Sequence, residues 1–375
     1  MESIGKRWRR IMVLATAALL VLSACAPAAA PTTTPTKAPA SAPAAAATSA
    51  PAAAATSAPA KAATSAPAAA ATSAPAKPKE LLKLRVATPH PGTPETGVAA
   101  IADAMGYFKD AGVEVEFIFT QGGGDTVQAV QVPNGADVGL LTGPMSVLGA
   151  IEKGADLKII SASVTPGDQQ WLTSKDSPYK TIKDLAGKPV GFTSAGSSSN
   201  LYLLGMMEKE GVKVEAVAAG ALGGNMWTQI KTGQLAAGIA TPPDAWVRIE
   251  QEGARKLFAT TDYPEFATYS YIVNFARGDS VKNKPDAIKG FLAGWARAAQ
   301  LIAKDPATAT KAYMPNTTDL SEDMVLRYFK SIPATKFTLK PIGGMDISVK
   351  YAKQFKFITQ DPDLNKVVDL SLAPN

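Results

Sequence analysis

Cysteine and histidine are almost missing from this chain: one of each in 375 residues. That count excludes a disulfide scaffold, a cysteine-built zinc or iron–sulfur cluster and a histidine-rich metal site. Any Ser/His/Asp arrangement would rest on His90 alone, so neither a metal nor another cofactor is expected. Long apolar runs are also missing. The longest mostly apolar stretch, residues 11 to 22, is too short to span a bilayer comfortably. Acid is absent from the front of the chain, where Glu2 is the only carboxylate before Glu80. The formal charge of +6 comes from that imbalance, because residues 80 to 375 hold 30 bases and 31 acids. The basic character belongs to the first 79 residues and not to a phosphate-binding face, so nucleic acid is not expected as a partner. The remaining length is enough for two compact units with a sizeable core.

What stands at the front reads as an address and a tether. A basic opening (KRWRR, 6–10) precedes the apolar run, which ends in Leu22-Ser23-Ala24-Cys25. This resembles the bacterial lipobox, with an ordinary signal peptide and a chance cysteine as the alternative. The resemblance implies a signal peptide over 1–24, lipidation of Cys25, and an exported chain anchored at the outer face of the cell membrane. Residues 26 to 79 consist only of Ala, Pro, Thr, Ser and Lys, with TSAP units opening at Thr48, Thr56, Thr64 and Thr72. Nothing there can form an apolar face, and proline interrupts alanine helices. The segment 25–79 is expected to be a disordered tether, spanning about 40 Å as a coil and about 170 Å if stretched as polyproline II.

From residue 81 the texture changes. LKLRVAT (82–88) and VEVEFIF (113–119) alternate as strands, while Val98, Ile101, Ala102 and Met105 recur at helical spacing. Strand, loop and helix then follow one another at a pace that signals crossover units and mainly parallel sheets. The rhythm restarts near residue 181, with short strands expected at 190–193, 212–217, 238–241 and 256–260, and another at 269–276. Two α/β halves joined near 170 and 268 explain the restart; one continuous doubly wound domain is the alternative.

Six pieces in order resemble one family: AMGYFKDAGVEVEF (104–117), NGADVGLLTG (134–143), AIEKGADLKIIS (150–161), TIKDLAGKPVGFTSAGSSSNLYLL (181–204), GQLAAGIATPPDAW (233–246) and KNKPDAIKGFLAGWARAAQLIAKDP (282–306). They are similar to the solute-binding proteins of ABC importers in the sulfonate, nitrate, taurine and thiamine-pyrimidine-precursor group, the NMT1/THI5-like family. The resemblance implies a two-lobed periplasmic-binding-protein-like α/β fold with two hinge crossings. It places lobe one at 83–171 plus 268–375 and lobe two at 172–267. It also implies a monomer that presents its small-molecule ligand to an ABC permease.

In open parallel sheets ligands bind beyond the carboxyl ends of the strands. The loops at those ends supply the candidates Thr93, Glu95, Gln121, Gly122, Trp171, Ser194, Ser197, Ser198, Asn200, Asn225, Trp227 and Asp244; Thr142 and Gly143 match a ligand loop of the family. Ser198 or Ser199 could equally be a helix cap, and His90 a surface residue. These loops, 88–96, 120–128, 142–147, 162–172, 193–200, 221–228 and 241–246, contain Glu95, Asp125, Asp168 and Asp244 but no Lys or Arg. A strongly anionic ligand is normally met by arginine. The aromatics Trp171, Phe192, Trp227, Trp246, Tyr269 and Tyr271 suggest walls for a flat ring. The expectation is therefore a binder of a small nitrogen heterocycle, such as a thiamine pyrimidine or a flavin, with an aliphatic sulfonate or similar oxyanion as the alternative. The Thr241-Pro242-Pro243-Asp244 segment departs from the sulfonate binders, which weakens transfer of their substrate. An enzyme of the pyrimidine-synthase type is disfavoured by the lack of a cysteine cluster, and a ligand-sensing subunit is a third reading.

Overall fold

The structure, a computed structural model, describes residues 80–89, 92–220 and 222–374. The expected signal peptide, the lipidated Cys25, the tether and His90 lie outside the described residues.

Among the described residues ten strands form two sheets. In chain order they are β1 (Leu82–Pro89), β2 (Val113–Thr120), β3 (Val138–Thr142), β4 (Leu157–Val164), β5 (Gln170–Thr173), β6 (Pro189–Phe192), β7 (Glu215–Ala218), β8 (Ala237–Ala240), β9 (Arg255–Ala259) and β10 (Ile272–Arg277). The first sheet runs β2-β1-β3-β10-β4 and the second β7-β6-β8-β5-β9. β1 lies parallel to β2 from Leu82↔Val113 to Pro89↔Thr120, and parallel to β3. β10 is antiparallel to both β3 and β4, and β5 to both β8 and β9. Each sheet is thus parallel except for its fourth strand. That strand is the one the chain enters just after crossing from the other lobe, where no helical crossover is needed.

The α/β class, the two lobes and the mainly parallel sheets agree with the expectation, but the first boundary does not. Gln170 and Trp171 already belong to the second sheet, so the chain crosses at 165–169 and not after Trp171. The alternation of short apolar residues continues unbroken through WLT and leaves no mark of the crossing. The return crossing occupies 260–271, and the strand expected from 269 begins at Ile272.

The helices are α1 (Val98–Ala104), α2 (Tyr107–Asp110), α3 (Gly123–Gln131), α4 (Pro144–Glu152), α5 (Ser198–Glu210), α6 (Gly224–Lys231), α7 (Asp244–Glu252), α8 (Gly278–Asn283), α9 (Pro285–Lys304), α10 (Pro306–Tyr313), α11 (Glu322–Ser331) and α12 (Met345–Gln354). β3 is buried on both faces and reads as a continuous apolar run, whereas edge strand β2 alternates buried Val113 with exposed Glu114 and Glu116. α9 carries Ile288, Phe291, Leu292, Trp295, Ala299 and Ile302 on one stripe, and Phe291 stacks on Phe108 of α2 at 4.8 Å.

The carboxyl-terminal helices are not confined to lobe one. Arg327 of α11 pairs with Glu250 of α7 at 2.8 Å and lies 4.5 Å over the Trp246 ring. α12 packs against both α4 and α5, and Lys350 faces Glu208 at 3.5 Å. The tail assigned to lobe one therefore clasps both lobes.

Candidate functional site

A cavity of about 400 Å³ lies between the lobes, at the carboxyl ends of the parallel strands. Lobe one contributes the segment after β1 (Thr93, Glu95, Thr96), the turn after β2 (Gln121, Gly122, Gly123) and Gly143 after β3. Lobe two contributes Ser197, Ser198 and Ser199 after β6, Gly223 and Gly224 after β7, and Asp244 after β8. The first crossing adds Gln169, the first residue of β10 adds Ile272, and the segment before α11 adds Asp319 and Leu320.

The lobes touch at its rim. Ser146 Oγ donates to the Gly196 carbonyl at 2.7 Å, and the Gly124 amide lies 3.5 Å from Ser194 Oγ. A β-carbon at Gly143 would lie 2.6 Å from the Ser198 amide nitrogen, so only glycine permits this approach. The two lobes are thus in direct contact at the rim.

Local hydrogen bonds hold the TSAGSSSN loop in shape. Ser197 caps α5 by accepting from the Asn200 amide at 3.2 Å; Asn200 Oδ1 accepts from the Gly196 amide at 3.0 Å; Ser199 Oγ accepts from the Thr193 amide at 3.0 Å. Gly196 sits at φ +77°, the left-handed region that glycine tolerates. The start of α5 lies at the cavity, where Ser197, Ser198 and Ser199 line the wall, and α3, α4, α6 and α7 also begin at this rim.

Charge on the wall is of one sign. Glu95, Asp244 and Asp319 line it, and among the described residues no Lys or Arg does so. Asp244 is paired: Arg248 Nη2 and Nε reach its Oδ1 at 2.7 Å and 3.1 Å. Burial pushes the Asp244 carboxyl up, Arg248 pulls it back, and burial prevails. Glu95 stands on a short 3-10 turn, Pro94–Thr96, opened by a proline and locked by Thr96 Oγ1 donating to the Thr93 carbonyl at 2.9 Å. Its carboxylate accepts from Tyr271 Oη and lies 3.5 Å from Lys336 Nζ, which also pairs with Asp168 at 2.8 Å. Burial first, and then the Asp168 charge, raise the Glu95 carboxyl to about 7 against the opposing pull of Lys336 and Tyr271. Gln169 is buried, and its Oε1 has no hydrogen-bond partner among the described residues, which leaves an acceptor on the wall.

Of the expected site residues, Thr93, Glu95, Gln121, Gly122, Gly143, Ser197, Ser198 and Asp244 converge on this wall. The other six do not. Trp171 is fully buried in lobe two, where its Nε1 donates to the Gly191 carbonyl at 3.1 Å and its ring stacks on Phe258. Trp227 is buried too, with Nε1 donating to Glu252. Asn225 points to solvent from the first turn of α6, whose backbone glycines face the cavity instead. Thr142 donates its hydroxyl to the Leu140 carbonyl, Asn200 accepts the Gly196 amide with its side-chain oxygen, and Ser194 sits at the rim contact. The aromatic wall also fails, since no Phe, Tyr or Trp lines the cavity. The rings cluster behind it, where Tyr202, Phe266, Tyr269 and Tyr271 pack together. Asp319 and Leu320 were not anticipated, because no strand end precedes them and their stretch reads as an ordinary helix approach. Gln169 lay in a loop singled out by position, but a glutamine beside a proline turn carries no signal of its own.

Among the described residues no helix is long and apolar enough to cross a membrane, and no group of three His, Cys, Asp or Glu side chains is placed to hold a metal ion.

Comparison with known proteins fits this architecture. A model of the NMT1/THI5-like family matches residues 94–309. No curated protein matches the chain by sequence. Among solved structures, the chain resembles the periplasmic aliphatic sulphonate binding protein SsuA of Escherichia coli, at 21% identity and TM-score 0.60, covering 76% of this chain and 91% of that one. It also resembles the periplasmic nitrate-binding protein NrtA of Synechocystis PCC 6803, at 13% identity and TM-score 0.62, covering 78% and 87%. The desulfurization enzyme DSZB shares the fold as well, at 14% identity and TM-score 0.56, covering 77% and 97%. At these identities the structural likeness speaks for the fold alone.

Proposed function

The chain belongs to the NMT1/THI5-like family, and from that premise we propose that it is the solute-binding protein of an ABC importer. In this reading it is exported, moored to the membrane through an acyl group on Cys25, and swings on the 26–79 tether. It takes up a small nitrogen heterocycle, such as a thiamine pyrimidine or a flavin, and hands it to a permease.

Capture works by closure. A ligand stabilises the closed form only by touching both lobes, and the wall joins Glu95 and Gln121 of lobe one to Ser198 and Asp244 of lobe two. Once the Ser146–Gly196 and Gly143–Ser198 seam has formed, the ligand is shut off from water and its polar groups must be met by the wall. The observation that carries the ligand class is the wall's set of acceptors: three carboxylates and the free Gln169 carbonyl, with no basic side chain. Amine and ring N–H groups complement such a wall. Ring stacking adds nothing to this recognition, since the rings among the described residues lie behind the cavity.

A sulfonate or nitrate is the second reading, favoured by the helix amino termini that converge on the rim and by what the SsuA and NrtA neighbours are named as binding. Catalysis is disfavoured because one histidine and one cysteine leave no cluster for Cys/His chemistry. Calorimetry with an aminopyrimidine and flavin panel beside an alkanesulfonate and nitrate panel separates the two binding readings, and small-angle scattering reports closure. Heat from the first panel with compaction is expected. Heat from the sulfonates alone ends the heterocycle reading, and turnover of any panel member ends the non-catalytic one.

A further inference from the structure

Glu95, Asp168 and Lys336 form a group whose charges do not balance, with Glu95 and Lys336 buried and Asp168 partly exposed beside them. Each comes from a different segment: the turn after β1, the first crossing, and the stretch after α11. Lys336 is only 3% exposed and serves two carboxylates at once. The other titratable groups facing Glu95 are Tyr271 of the second crossing, Tyr202 of α5 and Tyr328 of α11; burial raises all three phenols, so they remain uncharged. Across the cavity stand Asp244, already matched by Arg248, and Asp319. With both of its carboxylates ionised the group is one positive charge short, in a place where charge is costly. A proton or a cation in the cavity makes up the deficit, and Glu95 is the carboxylate of the pair that lines the cavity.

We propose that Glu95 selects the ligand by charge, a cationic nitrogen compound displacing the proton that otherwise balances the Glu95–Asp168–Lys336 group. The Glu95 carboxyl gives that proton to solvent and keeps the charge that faces the ligand's N–H; no bond to the ligand forms or breaks. A neutral compound of the same shape leaves the proton in place. This deepens the solute-capture reading and rests on it.

The elevated Glu95 carboxyl supplies the pH range. A carboxyl raised on folding contributes stability that is complete below its ordinary value of 4.5 and is lost as pH rises through about 7. Thermal unfolding of the ligand-free chain, wild type beside Glu95→Gln, tests this without any ligand. From about pH 5 to about pH 8 the wild-type Tm is expected to fall relative to the variant. An infrared band of a protonated carboxyl near neutral pH in the wild type gives the same reading without a variant.

For the exchange itself the probes are benzamidine, a fixed cation at these pH values, and the neutral benzamide. Benzamidine should bind about tenfold more tightly at about pH 8 than at about pH 6, releasing about one proton at the lower pH, and should abolish the infrared band. Benzamide should be indifferent to pH, and Glu95→Gln should erase the benzamidine trend. Equal treatment of the two compounds, failure of both to bind included, overturns the proposal, as does a Glu95→Gln variant that keeps the wild-type pH dependence. If instead the heterocycle panel still binds and closes the lobes, solute capture survives and only the role of Glu95 falls.

Discussion

The two lobes repeat one strand order, β2-β1-β3-β10-β4 against β7-β6-β8-β5-β9, yet they present their cleft carboxylates under different electrostatic conditions. Asp244 of lobe two opens its own helix and is held by an arginine one turn along, at 2.7 Å. Its charge is met within the lobe. Glu95 of lobe one has no partner in its own turn; its counter-ion comes from the carboxyl-terminal stretch and is shared with the first crossing. The same scaffold thus yields one acid that is locally neutralised and one whose ionisation is tied to the segments that join the lobes.

Removing the shared cation breaks that contrast most severely. Lys336→Met leaves buried Glu95 and partly exposed Asp168 without their shared cation and should cost about 3 kcal/mol at neutral pH, partly recovered in acid, as read from denaturant midpoints. Next comes the seam that both acids depend on. Gly143→Val pushes side-chain atoms into the Ser198 amide, so closure fails and affinity for the preferred panel compound should drop about 100-fold, with scattering no longer showing compaction. Arg248→Met makes Asp244 resemble Glu95 by removing its partner. A loss of about 2 kcal/mol is expected, larger at alkaline than at mildly acidic pH because the unpaired carboxyl is pushed further up. The smallest effect separates wall from core: Trp171→Phe removes one buried hydrogen bond and should cost about 1 kcal/mol while leaving ligand affinity unchanged.

Much of this arrangement was legible because it is local. Strict alternation gave β2 its exposed glutamates, and apolar period gave α9 its stripe, since each pattern follows from side-chain direction alone. Position after strands marks Glu95, Gln121 and Ser198, and the match to a ligand loop of the family marks Gly143. Trp171 misled for a physical reason: a tryptophan at a strand end is compatible with a wall or a core, and only the Gly191 carbonyl opposite its indole decides between them. Asn225 was lost to helical phase, one residue's rotation turning it to solvent. Lys336 carries no signal in sequence, because its partners Glu95 and Asp168 lie more than a hundred residues away, and Asp319 carries none because no strand end precedes it.

The placement of β10 bears on the order in which the molecule assembles. Lobe two draws its five strands from the contiguous stretch 170–259, so its sheet is complete before the second crossing has left the ribosome or a translocation pore. Lobe one must wait: the gap between β3 and β4 stays open until residues 272–277 arrive to fill it. The amino-terminal strands therefore remain an unfinished sheet, with exposed edges in need of a chaperone's cover, while the half made later is already folded.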